Sequence, residues 1–313
     1  MQLQRGFPIP VARRGGHVSI GNFDGVHCGH QSMLDALTSR ARADGVSAIA
    51  LTFDPHPIAL LRPEATPPPL TSIEHRAELL GRYGVDLVLV LPTDRQLLAL
   101  TADDFFDTVV RGELHARGLV EGPNFFFGRN RSGNITVLRS LCTTHGLSFD
   151  VVPPVTVDEQ LVSSSVIRSL IESGDIGHAV RLLGHPYRVR GTVGRGVERG
   201  RTLGFPTANL FDVPTLTPAN GVYAALAHLP SQSHAAAVHI GPNPTFGEVA
   251  RKIEVHILDF TGDLYGQPLE IDFLDRVRDV RRFDSVDDLR LQLSQDVAAV
   301  RVAVSHSMSE IPR

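Results

Sequence analysis

The pair His27 and His30, within the run HVSIGNFDGVHCGHQ of residues 17–31, is the spacing in this chain most suggestive of chemistry. A short apolar run, His17 to Ile20, stops at Gly21. A helical pattern (Met33, Leu34, Leu37, Ala41) begins directly after His30. Strand, glycine-bearing turn and helix together put the His-x-Gly-His segment where a helix N-terminus meets the carboxyl end of a strand. Open α/β sheets bind phosphorylated ligands at that place. Two imidazoles there can both donate to phosphate oxygens, and neither has to act as a base. The arrangement points to a nucleotide phosphate site that works by stabilising transition-state charge. A metal would want a third and fourth ligand. Cys28 and Cys142 are the only cysteines, so no Cys/His cluster has zinc spacing.

Further candidates belong with this pair. Ser163, Ser164 and Ser165 open a helical pattern (Val166, Ile167, Leu170, Ile171), and Arg168 falls in its first turn. Free backbone N–H groups, hydroxyls and a guanidinium at a helix start suit an anion. Asn124 lies in a turn-rich loop, residues 121–134. Asp24 and Asp54 each follow a Phe near a strand end; either could hold Mg²⁺ or shape its turn, and spacing does not choose between these roles.

A second set occupies residues 191–209, GTVGRGVERGRTLGFPTAN. Gly191, Gly194, Gly196, Gly200 and Gly204 permit close approach of backbone to phosphate. Arg195, Arg199 and Arg201 are interleaved with them. There is no lysine, so this is not a Walker-type loop, and no GxGxxG leads from strand to helix. Thr207 offers a hydroxyl and Asn209 an amide to a hard cation carrying phosphates. Glu254, on a later strand, is a candidate general base if it meets the Thr207 region in space.

The elements that must position these groups fall into two textures. Up to residue 184, apolar runs (17–20, 46–53, 86–91, 119–120, 147–152) alternate with helical stretches (72–82, 94–116, 135–145 and the one after Ser163), with Asp103 and Asp104 placed to split the second. This predicts a doubly wound parallel sheet. From 185 onward, strand-like runs (187–193, 221–229, 235–241, 253–260, 269–277) are separated by Gly and Pro. Ser285 then caps a final helix whose apolar positions are Leu289, Leu291, Leu293, Val297 and Val300. That pattern predicts a small β-barrel closed by a terminal helix. The expected fold class is therefore α/β, with domains 1–184 and 185–313.

Composition narrows the function classes. The 313 residues suffice for two domains, and 42% apolar content supports real cores. A net charge of −4 gives no reason to expect nucleic acid. No stretch approaches the roughly 20 apolar residues of a membrane span. The first residues show no apolar signal region, and two cysteines make no disulfide framework. The expectation from composition is a soluble chain in a reducing, cytoplasmic setting, with self-association left open.

Taken together the segments resemble the prokaryotic bifunctional riboflavin kinase/FMN adenylyltransferase family, over residues 17 to 300. The matching pieces are 21–31 (GNFDGVHCGHQ), 52–57 (TFDPHP), 124–133 (NFFFGRNRSG), 163–168 (SSSVIR), 183–187 (LGHPY), 204–210 (GFPTANL), 221–223 (GVY), 240–246 (IGPNPTF), 254–260 (EVHILDF), 263–266 (DLYG) and 282–283 (RF). The resemblance implies a Rossmann-like nucleotidyltransferase domain followed by a riboflavin kinase barrel. It implies that the barrel phosphorylates riboflavin with ATP to give FMN, and that the first domain adenylylates FMN with ATP to give FAD and pyrophosphate.

The same resemblance implies roles. His27 and His30 would bind the ATP phosphates, along with Gly21, Asn22, Phe23 and Gly29. Arg168 and Ser163–Ser165 would hold the β and γ phosphates. Asn124 would position the nucleotide or the FMN phosphate, with His56 and Phe126 on the flavin side. In the kinase half, Gly194, Gly204 and Pro206 would line the ATP site, and Thr207 and Asn209 would hold Mg²⁺. Glu254 would take the proton of the ribityl hydroxyl, and Arg278 would face the flavin. The chain departs from the family at Val280, where many members carry Glu, with Asp279 as a nearby acidic residue. Rival readings are a nucleotidyltransferase for another substrate, a chain with only the adenylyltransferase active, and a non-catalytic flavin-binding protein. The Phe-Pro-Thr-Ala-Asn barrel argues against the first and the complete set of candidate residues against the last.

Overall fold

In the computed structural model, residues 1–196, 200, 203–230 and 232–310 are described. Arg199 and Arg201 lie outside them. The chain forms two compact units, one made of residues 1–68 with 72–163, the other of 69–71 with the chain from Ser164 onward.

The first unit is built on six parallel strands. They are β1 (Gln2–Arg5), β2 (His17–Ile20), β3 (Ala48–Asp54), β4 (Leu87–Pro92), β5 (Gly118–Glu121) and β6 (Ser148–Val151), in spatial order β1-β4-β3-β2-β5-β6. β2, β3 and β4 read as continuous apolar runs because both sheet faces are covered. Val18, Ile20, Ile49 and Leu51 enter one core with Phe105 and Phe106; Ala48, Ala50, Val88 and Val90 enter another with Leu34 and Leu37. The strand order reverses at β2. The chain leaves β2 toward β3 on one side, while β5 lies on the other, so the carboxyl ends of β2 and β5 form the crevice where such sheets bind ligands.

α1 (Cys28–Asp44) follows β2, capped at its end by Gly45 at φ +65°. α2 (Pro57–Leu61) and α3 (Ile73–Arg82) lie between β3 and β4. The expected helix over 94–116 is broken, but not at Asp103 and Asp104. α4 (Arg95–Ala99) ends first, and Thr101 caps α5 (Ala102–Phe105) by accepting the N–H of Asp104. α5 runs on into a π-helical segment, Phe106–Glu113. α6 (Ile135–His145) precedes β6, and a two-residue hairpin, β7 (Thr156–Val157) with β8 (Gln160–Leu161), ends the unit. Strand β1 was not expected. Leu3 is the one apolar side chain of its four residues, and the strand is ordered by pairing with β4.

The second unit opens with α7 (Ser164–Ser173) and α8 (Ile176–Leu183). Its closed barrel has the order β10-β13-β12-β11-β14-β9, all neighbours antiparallel. The strands are β9 (Tyr187–Gly194), β10 (Ala208–Phe211), β11 (Gly221–His228), β12 (Ser233–Gly241), β13 (Lys252–Ile257) and β14 (Pro268–Arg278), followed by α9 (Val286–Glu310). β10 was not expected; it completes the closure. In α9, Val300 and Val304 are buried, whereas Leu291 is 62% exposed, because it falls off the i, i+4 row of Leu289, Leu293 and Val297.

The boundary expected at 184 does not coincide with the packing. Residues 164–183 belong with the barrel: Ile176, Ala179, Leu182 and Leu183 are buried, α8 lies against β9 and β14, and Ala219 donates its N–H to the Ile171 carbonyl. Sequence texture marks the change from helix to strand, and the compact unit begins one helix pair earlier.

Candidate active sites

In the first unit the chain passes from β2 to α1 through Gly21–Val26. Phe23 (φ +48°) and Val26 (φ +38°) are wholly buried in a backbone region disfavoured for side chains. His27 is the N-cap of α1, its Nδ1 accepting the His30 N–H at 3.3 Å. A ring nitrogen that accepts carries no proton, so the His27 proton is on Nε2. The His30 ring stacks on that of His27 with centroids 3.7 Å apart, and the Phe23 ring meets it edge-on at 5.3 Å. Phe23 thus braces His30. Burial, with the charges of His27 and Arg76, holds the His30 imidazole well below its ordinary range. At neutral pH His30 is therefore a neutral hydrogen-bonding group. A Cβ on Gly29 would stand 3.3 Å from the His27 ring and 3.9 Å from the Val162 carbonyl, so the residue before Ser163 borders the motif.

Buried polar atoms without a partner among the described residues gather at this end of β2: Ser19 Oγ, Asn22 Oδ1, His30 Nδ1 and Glu121 Oε2. Each such group calls for a partner, which a bound polar ligand or water can supply. Asp24 and Asp54 are both engaged by arginines. Asp24, 4% exposed, accepts from the equally buried Arg76 at 3.1 Å, and Asp54 accepts from Arg5 at 2.9 Å. Arg76 was missed in the sequence. Its signal was a cation on the apolar row Ile73, Arg76, Ala77, Leu80 of α3.

The remaining candidates of this region are placed as follows. His56 caps α2, its Nδ1 accepting from the Ile58 N–H at 3.1 Å. Asn124 is exposed on the loop after β5. Phe126 is exposed too, with the Arg131 guanidinium 4.3 Å from its ring centre, while Phe125 and Phe127 stack on each other. Ser164 and Ser165 open α7, with Ser163 immediately before it; Arg168 is the fifth residue of the helix, just past the first turn in which it was expected.

In the barrel, Thr207, Glu254 and Arg278 line one pocket, together with His239, Asn243 and Phe283. Glu254 sits on β13 with Asn209 of β10 opposite on one side and His239 of β12 opposite on the other. Val255 and Ile257 turn into the barrel core, so Glu254 and His256 take the other face. Asn243 Nδ2 donates to Glu254 Oε2 at 2.9 Å. Burial pushes the Glu254 carboxyl up, but the nearby His239 imidazole and the Asn243 hydrogen bond, with the charge of Lys252, leave it below the usual carboxylate range. Glu254 is therefore ionised at neutral pH.

The glycine loop closes on the candidate cation ligands. A Cβ on Gly200 would stand 3.3 Å from Thr207 Oγ1, and one on Gly196 would strike the Asn209 amide. Only glycine leaves room there for a ligand against that hydroxyl and amide. His256 Nδ1 holds the Pro206 carbonyl at 2.8 Å. Gly194 ends β9 and Gly204 takes φ +87°.

Arg278 lines the pocket, but its guanidinium is engaged bidentately by Asp296 of α9, at 2.9 and 2.7 Å. Val280 presents an apolar wall. Asp279 does not substitute for an acidic residue at 280: it is 84% exposed in its side chain and pairs with Arg276. Tyr223, in the Gly-Val-Tyr motif, is core, fully buried with its hydroxyl donating to the Ala219 carbonyl. Phe283, under the Arg281 guanidinium at 4.8 Å, and Phe205 are aromatic side chains that line the pocket.

An α/β unit with a histidine pair at its switch point, joined to a barrel with a half-buried glutamate in its pocket, defines a two-domain nucleotide-dependent transferase architecture. The FAD synthetase family profile matches residues 10–166, and the riboflavin kinase profile matches 183–304. The bifunctional riboflavin kinase/FMN adenylyltransferase of Pseudomonas fluorescens is 36% identical over 98% of this chain and 99% of its own length. That of Escherichia coli K12 is 34% identical over 91% of each. A solved structure named as a macrolide-efflux protein from Streptococcus pneumoniae superposes with a TM-score of 0.82 at 33% identity, covering 92% of this chain and 94% of that one. The chain belongs to the bifunctional riboflavin kinase/FMN adenylyltransferase family. No helix among the described residues is long and apolar enough to cross a membrane.

Proposed function

We propose that this protein makes FAD from riboflavin in two ATP-dependent steps, in the cytoplasm. The barrel transfers the γ-phosphoryl group of ATP to the ribityl 5′-hydroxyl of riboflavin, releasing ADP and FMN. The first unit then joins the AMP moiety of a second ATP to the FMN phosphate, releasing pyrophosphate. The observation that carries the reading is the meeting of Glu254 with Thr207 in one barrel pocket, on a chain whose other unit holds the stacked His27–His30 pair.

In the kinase step, Glu254 is ionised and one of its oxygens is already held by Asn243. The other oxygen takes the hydroxyl proton as the oxygen attacks phosphorus. Thr207 and Asn209 would hold Mg²⁺; the hydroxyl and amide are hard oxygen donors that leave most of the coordination shell to phosphates. Bound Mg²⁺ neutralises charge on the transferring phosphoryl group. Gly196 and Gly200 bring backbone against that same place.

In the adenylyl step, a phosphate oxygen of FMN attacks the α-phosphorus and pyrophosphate leaves. No proton has to be removed from this nucleophile, so the histidines serve as donors to developing charge. The neutral state of His30 fits that role. Gly29 borders the His27 ring and Phe23 braces His30; Gly21 and Asn22 are assigned to the ATP phosphates. Arg168 with Ser163–Ser165 is assigned to the β and γ phosphates, Asn124 to the nucleotide or FMN phosphate, and His56 and Phe126 to the flavin side. These assignments rest on the sequence resemblance.

Chromatography of products tests the proposal. Riboflavin, ATP and Mg²⁺ should yield FMN and FAD, and FMN, ATP and Mg²⁺ should yield FAD. FAD from FMN alone would remove the kinase half. No product in either mixture would overturn the reading.

A further inference from the structure

Beside Glu254 stands a residue to which the sequence assigned nothing. His239 faces it across the β12–β13 pair, with Nδ1 3.4 Å from Glu254 Oε2. Its neighbours Val238 and Ile240 are buried in the barrel, so the imidazole is turned to the pocket that Glu254 and Thr207 line. Nδ1 is buried and has no hydrogen-bond partner among the described residues. A buried donor left unmade is costly, and the nearest acceptor in the pocket is the carboxylate opposite. Catalytic hydrogen bonds are often long in a free enzyme and tighten with substrate.

We infer that His239 is a positioning residue for the kinase reaction, closing onto Glu254 Oε2 so that Oε1 is aimed at the ribityl hydroxyl. The inference rests on the kinase reading above. Two groups converge on the same oxygen. Asn243 Nδ2 donates to Oε2 from the segment after β12, and His239 Nδ1 approaches it from β12 itself. No hydrogen bond among the described residues engages Oε1. A carboxylate held through one oxygen cannot rotate freely, and its second oxygen keeps a fixed direction. Accurate placement of a base against its proton is what converts binding into rate. His239 touches no reacting atom, so its effect should fall on turnover and not on substrate affinity.

The test uses full-length protein and steady-state phosphorylation of riboflavin at saturating Mg²⁺-ATP. His239→Leu removes the ring nitrogen and keeps bulk; His239→Asn restores an N–H near the Nδ1 position. General-base catalysis is worth roughly 10²–10⁴-fold, so loss of the group that orients the base should lower kcat at least about tenfold. KM for riboflavin and ATP should stay within about twofold. His239→Asn should recover most of the rate. A parent-like thermal unfolding profile reports that the barrel of each variant is folded, and FAD formation from supplied FMN reports on the other unit. The inference is overturned if His239→Leu keeps its kcat, if the loss appears in KM, or if His239→Asn is no better than His239→Leu. Failure of the unsubstituted protein to make FMN would instead overturn the kinase reading itself.

Discussion

The backbone N–H of Ile20 donates to the side chain of Glu121 at 2.8 Å, across the gap where β2 and β5 part. The β2–β5 ladder is paired only at His17–Gly118 and Val18–Leu119, so beyond it a carboxyl group does the work of a backbone carbonyl. Glu121 is fully buried, and its other oxygen has no partner among the described residues. Burial raises its pKa well above the ordinary carboxylate value, against the lowering effect of the Ile20 N–H.

That relationship has a defined pH signature. The folded chain keeps the Glu121 proton to higher pH than the unfolded chain does, so the native state binds more protons. Stability attributable to this group is then full below the ordinary carboxylate pKa and declines as pH rises through it toward the folded value. Each tenfold difference in proton affinity is worth about 1.4 kcal/mol. Glu121→Gln, which keeps an acceptor for Ile20 without ionising, should match the parent at pH 4 and exceed it at pH 8 in thermal unfolding. An equal difference at both pH values would show that the carboxyl is not held protonated.

Arg76 and Asp24 form an ion pair with both partners nearly inaccessible, and Arg76 Nη1 also reaches Thr52 Oγ1. Removing one member leaves a buried charge uncompensated, at a cost of about 3–5 kcal/mol. Arg76→Leu should therefore lower the denaturant midpoint markedly. The double change Arg76→Leu with Asp24→Asn should recover much of the loss. Denaturant unfolding of the single and double variants measures this, and additive losses would refute it.

What the sequence disclosed depended on whether a side chain's role is local. The stop of the 17–20 run at Gly21 and the helix after His30 placed His27 at the α1 N-cap, because strand ends and caps are set by neighbouring residues. Thr207 and Glu254 were recognisable as candidate groups, and only the barrel's closure through β10 and β13 brings them into one pocket. Glu121 read as the first residue of a loop; its burial depends on the distant Ile20. The same holds for His239, which becomes interesting only through its cross-strand register with Glu254, and for Asp296, which meets Arg278 from α9. Pairings across long stretches of chain carry no local signal.

Asp272 carries a pH dependence of opposite sign. Burial would raise it, but bidentate hydrogen bonds from Arg188 at 2.6 and 2.8 Å and a contact with His228 at 2.7 Å outweigh that, and its pKa lies well below the ordinary carboxylate value. A depressed carboxyl contributes stability that is present above its unfolded pKa and lost as pH falls from about 4 toward the folded value. Asp272→Asn should be destabilised at pH 7 by about 2 kcal/mol or more, since it leaves Arg188 without its main partner. The gap to the parent should narrow steadily below pH 4. Unfolding midpoints at pH 7 and pH 3 decide the matter; a gap that stays constant would mean that the shift is absent.

The two chemistries should be separable by single substitutions, because the histidine pair lies in the first unit and Glu254 in the barrel of the second. His30→Ala removes a donor that Phe23 and His27 hold in place, and His27→Ala removes both a donor and the α1 cap. Loss of one transition-state donor costs about 10²–10³-fold, so each should reduce FAD formation from FMN on that scale. Loss of a helix cap costs about 1 kcal/mol, so His27→Ala should also lower the melting temperature slightly, and His30→Ala should not through this cause. Neither should slow conversion of riboflavin to FMN. Glu254→Gln should do the reverse: it removes the base but keeps the amide-sized group between Asn243 and His239, lowering FMN formation by about 10²-fold or more while FAD formation from supplied FMN continues. Rates for both half-reactions in all three variants test the assignment. If His30→Ala slowed riboflavin phosphorylation as strongly as adenylyl transfer, the division of labour between the two units would be wrong, and the histidine pair would have to be read as supporting the whole fold and not a single transfer step.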